Sequence, residues 1–258
     1  MTRYTDLLRL DGRTHVVVGV GPGIGRETAC ALAAAGAHVV CVDMDPAQAS
    51  VVAESIGGTA AACDITDHGR FAQVLSDIGR IDGVTDVVGL VRWTPLAETG
   101  DDDWAWQDGI VARQALAVLR TAVPYLRDNG GGSFTFIASV SALASAPGHG
   151  LYGMSKAALL SMVRTAAVEL GPLGIRVNAV SPGATLTPRM VADPRFTDAI
   201  RTNSARTPLG KLASPADIAA AALFLTSGLA THVTGHNLVV DGGLSITWPL
   251  ARPDHSTI

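Results

Sequence analysis

Short runs of apolar, mostly β-branched residues alternate along the chain with longer stretches whose apolar positions recur at helical spacing. The runs predict strands at His15–Val20, His38–Val42, Thr59–Ala62, Val84–Val88, Ser133–Ala138, Arg176–Val180 and Asn237–Val240. Most are nearly continuous, as expected of parallel strands covered on both faces. The stretches between them predict helices at Gly25–Ala35, Pro46–Ile56, His68–Ile78, Asp103–Asp128, Tyr152–Leu170 and Pro215–Leu225. Asp45-Pro46 and Ser214-Pro215 each put a capping side chain before a proline in the first turn, and Asp101-Asp102-Asp103 reads as the cap of the long helix. Strands alternating with helices imply an α/β fold, a Rossmann-type doubly wound parallel sheet of about seven strands with right-handed crossovers. No repeat or linker divides the pattern, so a single domain is expected over 1–246, followed by a patternless tail, 247–258. Ser181–Ser214, rich in Pro and Thr, reads as irregular with at most a short helix. It follows a strand, where open α/β sheets carry their substrate loops.

Composition narrows the class. Of 258 residues, 48% are apolar and 16% charged, enough to bury a large core and too apolar for disorder. The net charge of −4 comes without any Lys/Arg run, so a nucleic-acid surface is not expected. Cys30, Cys41 and Cys63 form no C-x-x-C pair, which points to buried thiols in a reducing compartment. The first residues lack the apolar core of a signal peptide, and no uncharged stretch approaches ~18 apolar residues. A cytoplasmic protein with no membrane partner is therefore expected. The histidines show no ligand cluster: His232 and His236 are four apart but flank Gly235, where a helix is not expected, so no metal site is expected. No G-x-S-x-G turn offers a hydrolase nucleophile.

The first predicted strand runs into Gly19-Val-Gly21-Pro-Gly23-Ile24-Gly25 and then a helix. Glycines let a backbone approach a pyrophosphate closely, and the helix N-terminus offers it free N–H groups. Asp43 ends the next strand 18 residues after Gly25, close to the ~20 expected of a ribose-binding carboxylate. A carboxylate there accepts from the ribose hydroxyls and repels a 2′-phosphate. Met44, Asp45 and Pro46 follow it with no basic residue, so NAD is expected over NADP.

Candidate chemistry centres on Tyr152-Gly-Met-Ser-Lys156, in a chain with three tyrosines and two lysines. At i, i+4 on a helix the two side chains share a face. A nearby ammonium is expected to lower the phenol pKa, so that Tyr152 exchanges a proton with an alcohol or carbonyl oxygen near neutral pH. Upstream, Ser139 could hydrogen-bond and orient the reacting oxygen, with Ser141 as the competing hydroxyl. His149 and Trp93 could each face substrate or serve only the surface or the packing.

These motifs together resemble the short-chain dehydrogenase/reductase family over nearly the whole chain. The family's T-G-x-x-x-G-x-G matches at Gly19, Gly23 and Gly25 with Val18 in place of Thr, its Y-x-x-x-K matches Tyr152 and Lys156, and its catalytic Ser falls on Ser139. The resemblance implies that Asp64 and Ile65 lie beside the adenine. It also implies that the loop with Pro182, Gly183, Thr185 and Thr187 holds the nicotinamide carboxamide, that Lys156 holds the nicotinamide ribose, and that the long fifth and sixth helices form a dimer or tetramer interface. Gly235 to Gly243 resembles the closing strand. Two further departures matter. Where the family has N-N-A-G, this chain has Asp86-Val87-Val88-Gly89, so only Gly89 is kept and polar support of the central strand must be built differently. Where the family has an Asn in the long helix, whose carbonyl holds a water against the Lys, this chain has Val111.

The reading that follows is an NAD(H)-dependent alcohol dehydrogenase or ketone reductase with Ser139, Tyr152 and Lys156 as catalytic residues. Leu143, Leu151, Met154, Trp93, Leu186 and Met190 suggest a hydrophobic secondary alcohol or ketone as substrate. The rival readings are a non-catalytic NAD-binding relative and an epimerase or dehydratase using the same Tyr–Lys pair.

Overall fold

Neighbouring residues of a strand point to opposite faces of its sheet, and this alternation sorts the core into two layers. In the computed structural model, which describes residues 3–247, Val16 and Val18 pack with Phe71, Val118 and Val163, while Val17 between them packs with Ala29, Leu32 and Val52. The strands are β1 (Thr14–Val18), β2 (His38–Asp43), β3 (Thr59–Ala62), β4 (Gly83–Asp86), β5 (Gly132–Ile137), β6 (Ile175–Pro182) and β7 (Asn237–Val240). They form one parallel sheet in the order β3-β2-β1-β4-β5-β6-β7. The helices are α1 (Ile24–Ala34), α2 (Pro46–Ile56), α3 (His68–Ile78), α4 (Asp101–Asp108), α5 (Gln114–Asp128), α6 (Gly150–Leu170), α7 (Pro188–Ala192), α8 (Thr197–Arg206) and α9 (Pro215–Thr226). Ile218, Ala222 and Leu225 of α9 close the second layer over Ile137 and Val180. The seven-stranded Rossmann-type sheet with helices on both faces is the fold the residue pattern predicts.

Local chemistry explains most of the element ends. Asp45 caps α2 by accepting from the Ala47 amide at 2.9 Å, and Ser214 with Asp217 forms a capping box on α9. Four differences from the sequence reading stand out. The edge strand β3 is largely exposed, not covered on both faces. The three aspartates at 101–103 form the first turn of α4 instead of its cap, which is Gly100, and Asp103 accepts from the Gly100 amide at 3.2 Å. The expected helix over Asp103–Asp128 is continuous but passes through a π-turn at Gly109–Arg113 between α4 and α5. The stretch expected to hold at most a short helix contains both α7 and the ten-residue α8, which buries no residue and so leaves no apolar stripe to read. The tail prediction, apart from Thr247, lies outside the described residues.

β1 sits at the point where the strand order reverses, with β2 on one side and β4 on the other. Chain crossovers leave it in opposite directions, and the crevice that opens outside the carboxyl ends of the strands is where such sheets bind ligands. Every strand end that matters below lies along that edge.

Candidate active site

Residues that leave the carboxyl ends of the strands converge on one cleft of about 160 Å³. Of the predicted site residues it is lined by Ile24, Gly89, Ser139, Tyr152, Lys156, Pro182, Gly183 and Thr185, joined by Val87, Ile137 and Ala138. Ser139 follows β5 by one residue and is buried. Its Oγ accepts from the Ser141 amide at 3.1 Å, starting the short turn Val140–Ala142. Tyr152 and Lys156 come from the first turns of α6. Gly153 lets α6 approach that turn: a Cβ there would stand 2.7 Å from the Ser141 carbonyl oxygen. The glycine between Tyr152 and Met154 is thus a packing requirement that places the phenol beside Ser139.

The other predicted cofactor residues lie around the glycine turn, outside the cleft. Gly19 has φ +83° and Gly23 φ +134°, conformations that favour glycine, and a Cβ at Gly25 would overlap the Gly19 carbonyl. No side chain caps the N-terminus of α1. A Cβ at Gly21 would lie 2.7 Å from the Gln48 side-chain oxygen and 3.8 Å from a carboxylate oxygen of Asp43, so Asp43 stands directly beside the turn. Its other oxygen accepts from the Asp45 amide at 3.0 Å. Thr187 caps α7 and lies 3.4 Å from where a Gly23 Cβ would be, closing the turn from the opposite side. Asp64, beyond β3, accepts from both the amide and hydroxyl of Thr66, with the buried Ile65 between them.

The electrostatics depart from the sequence reading at Tyr152. Burial pushes its phenol up to about 12, opposed only by a hydrogen bond with Ser139. The expected lowering by Lys156 is not found. The Lys156 Nζ, buried with its side chain, donates to the Ile137 carbonyl at 2.6 Å and stands 5.8 Å from the centroid of the Tyr152 ring. Burial lowers Lys156 to about 8, and the nearby Asp86 acts in the opposite sense. Burial likewise raises Asp86 to about 6, against the Val88 amide, the Gln114 amide group and Lys156.

Three contacts were not legible in the sequence. Gln114 Nε2 donates to Asp86 Oδ2 at 3.0 Å across the core, which supplies the polar support that the Asp86-Val87-Val88-Gly89 departure demands. Ser141 and His149 share a hydrogen bond of 2.9 Å between Oγ and Nδ1, so Ser141, the competing hydroxyl, serves His149. Trp93 lies over the His149 ring at 4.0 Å between centroids and is half-exposed, which places it outside the core. Cys41 and Cys63 are buried thiols and Cys30 is partly buried. Among the described residues no group of His, Cys, Asp or Glu could hold a metal, and no helix is long and apolar enough to cross a membrane.

A parallel sheet with this strand order, a glycine turn after its first strand and a Tyr–Lys pair beside a strand-end serine defines a class of nicotinamide-fold oxidoreductases, and comparison with known proteins agrees. The model of the family described as enoyl-(acyl carrier protein) reductase matches residues 19–245. The 7alpha-hydroxysteroid dehydrogenase of Escherichia coli K12 is 36% identical over 93% of this chain and 96% of its own. The 2,3-dihydro-2,3-dihydroxybenzoate dehydrogenase of Bacillus subtilis is 32% identical over 92% of this chain and 97% of its own. A solved 7 alpha-hydroxysteroid dehydrogenase, complexed with NADH and 7-oxo glycochenodeoxycholic acid, superposes with a TM-score of 0.87 at 34% identity, covering 94% of this chain and 98% of that one. A gluconate 5-dehydrogenase from Burkholderia cenocepacia, in complex with NADP and tartrate, gives 0.87 at 28%, covering 95% and 100%. The chain belongs to the short-chain dehydrogenase/reductase family.

Proposed function

We propose that the protein is an NAD(H)-dependent oxidoreductase that interconverts a hydrophobic secondary alcohol and its ketone. The observation that carries this is the meeting of Ser139, Tyr152 and Lys156 on one cleft beside the glycine turn. The turn suits a dinucleotide: its glycines leave room for a pyrophosphate, and the uncapped N-terminus of α1 presents amides to it. Asp43 beside that turn supports NAD over NADP, by accepting from ribose hydroxyls and repelling a 2′-phosphate. When bound, the nicotinamide supplies the hydride acceptor or donor.

The chain's own residues handle the proton and the geometry. Ser139 donates to the substrate oxygen and holds it against Tyr152. With its phenol pushed up to about 12, Tyr152 is protonated at neutral pH, which suits it to give a proton to the oxygen of a ketone being reduced. In the reverse direction it must first lose that proton, and the hydrogen bond with Ser139 is what favours the loss. Half-exposed Trp93, stacked on the His149 that neighbours Tyr152, supports an apolar substrate. The relatives acting on a hydroxysteroid and a dihydrodiol support a ring-borne secondary alcohol. The polar support supplied by Gln114 removes the main motive for a non-catalytic reading. A homotetramer built on α5 and α6 in the cytoplasm, with no nucleic-acid or membrane partner, completes the proposal.

The test is a screen of cyclic secondary alcohols and ketones followed by NADH absorbance, with NADP(H) and Tyr152→Phe in parallel. Turnover with NAD(H) that the Phe variant loses, while still binding cofactor, supports the proposal. Tight NAD binding with no turnover across the screen would shift weight to the non-catalytic reading. Absence of cofactor binding would overturn the roles given to the glycine turn and Asp43.

A further inference from the structure

Asp45 is the hub of a small hydrogen-bond network at the start of α2. Its amide donates to Asp43 Oδ1 at 3.0 Å, its Oδ1 accepts from the Ala47 amide at 2.9 Å, and its Oδ2 accepts from Gln48 Nε2 at 3.0 Å. An acidic cap with a glutamine three residues on resembles a capping box, in which the glutamine oxygen would accept from the cap's own amide. Here Asp43 takes that amide instead. Gln48 Oε1 is left without a donor among the described residues, and so is Asp43 Oδ2. Both oxygens face the glycine turn: a Cβ built on Gly21 would stand 2.7 Å from Gln48 Oε1 and 3.8 Å from Asp43 Oδ2. Asp43 and Gln48 are both partly exposed, so a ligand lying on the turn can reach them.

Asp45 also fixes which way the Gln48 amide lies. An ionised carboxylate only accepts, so Gln48 turns its NH2 to Asp45 and its oxygen to the glycine turn. We propose that Gln48 is a specificity-determining residue of the cofactor site: its Oε1 and Asp43 Oδ2 accept from the two adjacent hydroxyls of the adenosine ribose, with Asp45 as the residue that positions both. This rests on the reading of the glycine turn and Asp43 as a dinucleotide site. A ribose with both hydroxyls free offers one donor to each acceptor. A 2′-phosphate replaces one of those donors with oxygens that are largely ionised at neutral pH, and so sets acceptors against acceptors. Asp43 opposes that phosphate by charge. Gln48 is neutral and could turn its NH2 to the phosphate, but Asp45 holds that NH2 already. The cofactor preference is thereby assigned to a pair of oxygens, one of which lies on α2 and not at the strand end.

The test reads binding, not turnover, by calorimetric titration with NADH, NADPH and an NADH analogue that lacks both adenosine-ribose hydroxyls. Gln48→Met keeps the length of the side chain and removes its acceptor. It should raise the NADH dissociation constant about three- to tenfold, the range for one lost hydrogen bond, and leave that of the analogue within about twofold. Asp45→Asn keeps an oxygen for the Ala47 amide and so presents its own NH2 to Gln48, which should turn the Gln48 amide over. NADH should then bind more weakly and NADPH more tightly, each by about threefold or more. In a Gln48→Met background the same Asp45→Asn change should move both cofactors much less, which separates positioning of Gln48 from the loss of a charge. Gln48→Met without effect on NADH, or with an equal effect on the analogue, would overturn the proposal. So would an Asp45→Asn effect of the same size in both backgrounds. A parent chain that binds no NADH would overturn the dinucleotide reading itself and this proposal with it, a result distinct from the other two.

Discussion

Lys156 bonds elsewhere than to the hydroxyl it was expected to activate: its Nζ donates to the Ile137 carbonyl and lies 5.8 Å from the Tyr152 ring centroid. The group found to favour the Tyr152 phenolate is Ser139. Ser139→Ala should therefore do two kinds of damage, removing the donor to the substrate oxygen and leaving the phenol still harder to ionise. A loss of roughly 10²- to 10³-fold in kcat is expected, the range for removal of one donor to a developing oxyanion. The loss should be larger for alcohol oxidation than for ketone reduction, as steady-state rates in both directions will show. Equal losses would deny Ser139 a part in ionising Tyr152.

Gly153 is a close approach between α6 and the turn that carries Ser139. An alanine there puts a methyl 2.7 Å from the Ser141 carbonyl oxygen, and that oxygen is backbone. Overpacking of this kind typically costs about 1–3 kcal/mol. Gly153→Ala should lower the urea midpoint by a corresponding amount and also depress kcat, because the shift separates Ser139 from Tyr152. Stability lost with kcat unchanged would show that the site tolerates the displacement.

Asp43 stands beside the glycine turn, where the proposed function assigns it the cofactor preference. Asp43→Ser removes the charge that repels a 2′-phosphate and a strong acceptor for the ribose hydroxyls. The ratio of kcat/KM for NAD over NADP should fall by at least about tenfold, or ~1.4 kcal/mol. A ratio left within a factor of two would assign the preference elsewhere.

His15 lies at the opposite ends of the strands, on β1, and governs stability, not chemistry. It is fully buried, neither ring nitrogen has a partner, and burial lowers its pKa to about 4. Between pH 6.5 and 4 the unfolded chain binds a proton at this residue and the folded chain does not, so stability falls as pH drops through that window. The contribution is on the order of 3 kcal/mol. His15→Leu, which also removes two orphaned polar atoms, should flatten the dependence of the urea midpoint on pH between 6.5 and 4. The parent's slope persisting in the variant would place its origin in other groups.

Much of the fold is written locally. Runs such as Val16-Val-Val and Val39-Val-Cys-Val predict strands because both their faces are covered, and α2 and α3 fall where their spacing and capping residues put them. The Tyr152–Lys156 pair was visible because helical geometry turns a spacing of four into a shared face. The glycine turn was visible because only glycine accepts the backbone at Gly19 and Gly23. Other features left no local trace. The helix α8 buries nothing, so it has no periodic stripe. The π-turn at Gly109–Arg113 lies inside an unbroken helical pattern.

The sequence by itself determined the parallel α/β pattern, the glycine turn with its Asp43, and the Ser139, Tyr152 and Lys156 set, since each rests on local patterns and fixed spacings along the chain. Tertiary structure alone decided where the Lys156 ammonium points, that Ser141 serves His149, and that Gln114 faces Asp86. Those outcomes depend on side chains from different elements, 28 residues apart in the case of Asp86 and Gln114. They also depend on burial, which moved Tyr152 up and Lys156 down, whereas sequence spacing alone suggests that Lys156 lowers Tyr152. Desolvation is a property of the whole packed core, and no stretch of chain carries it alone.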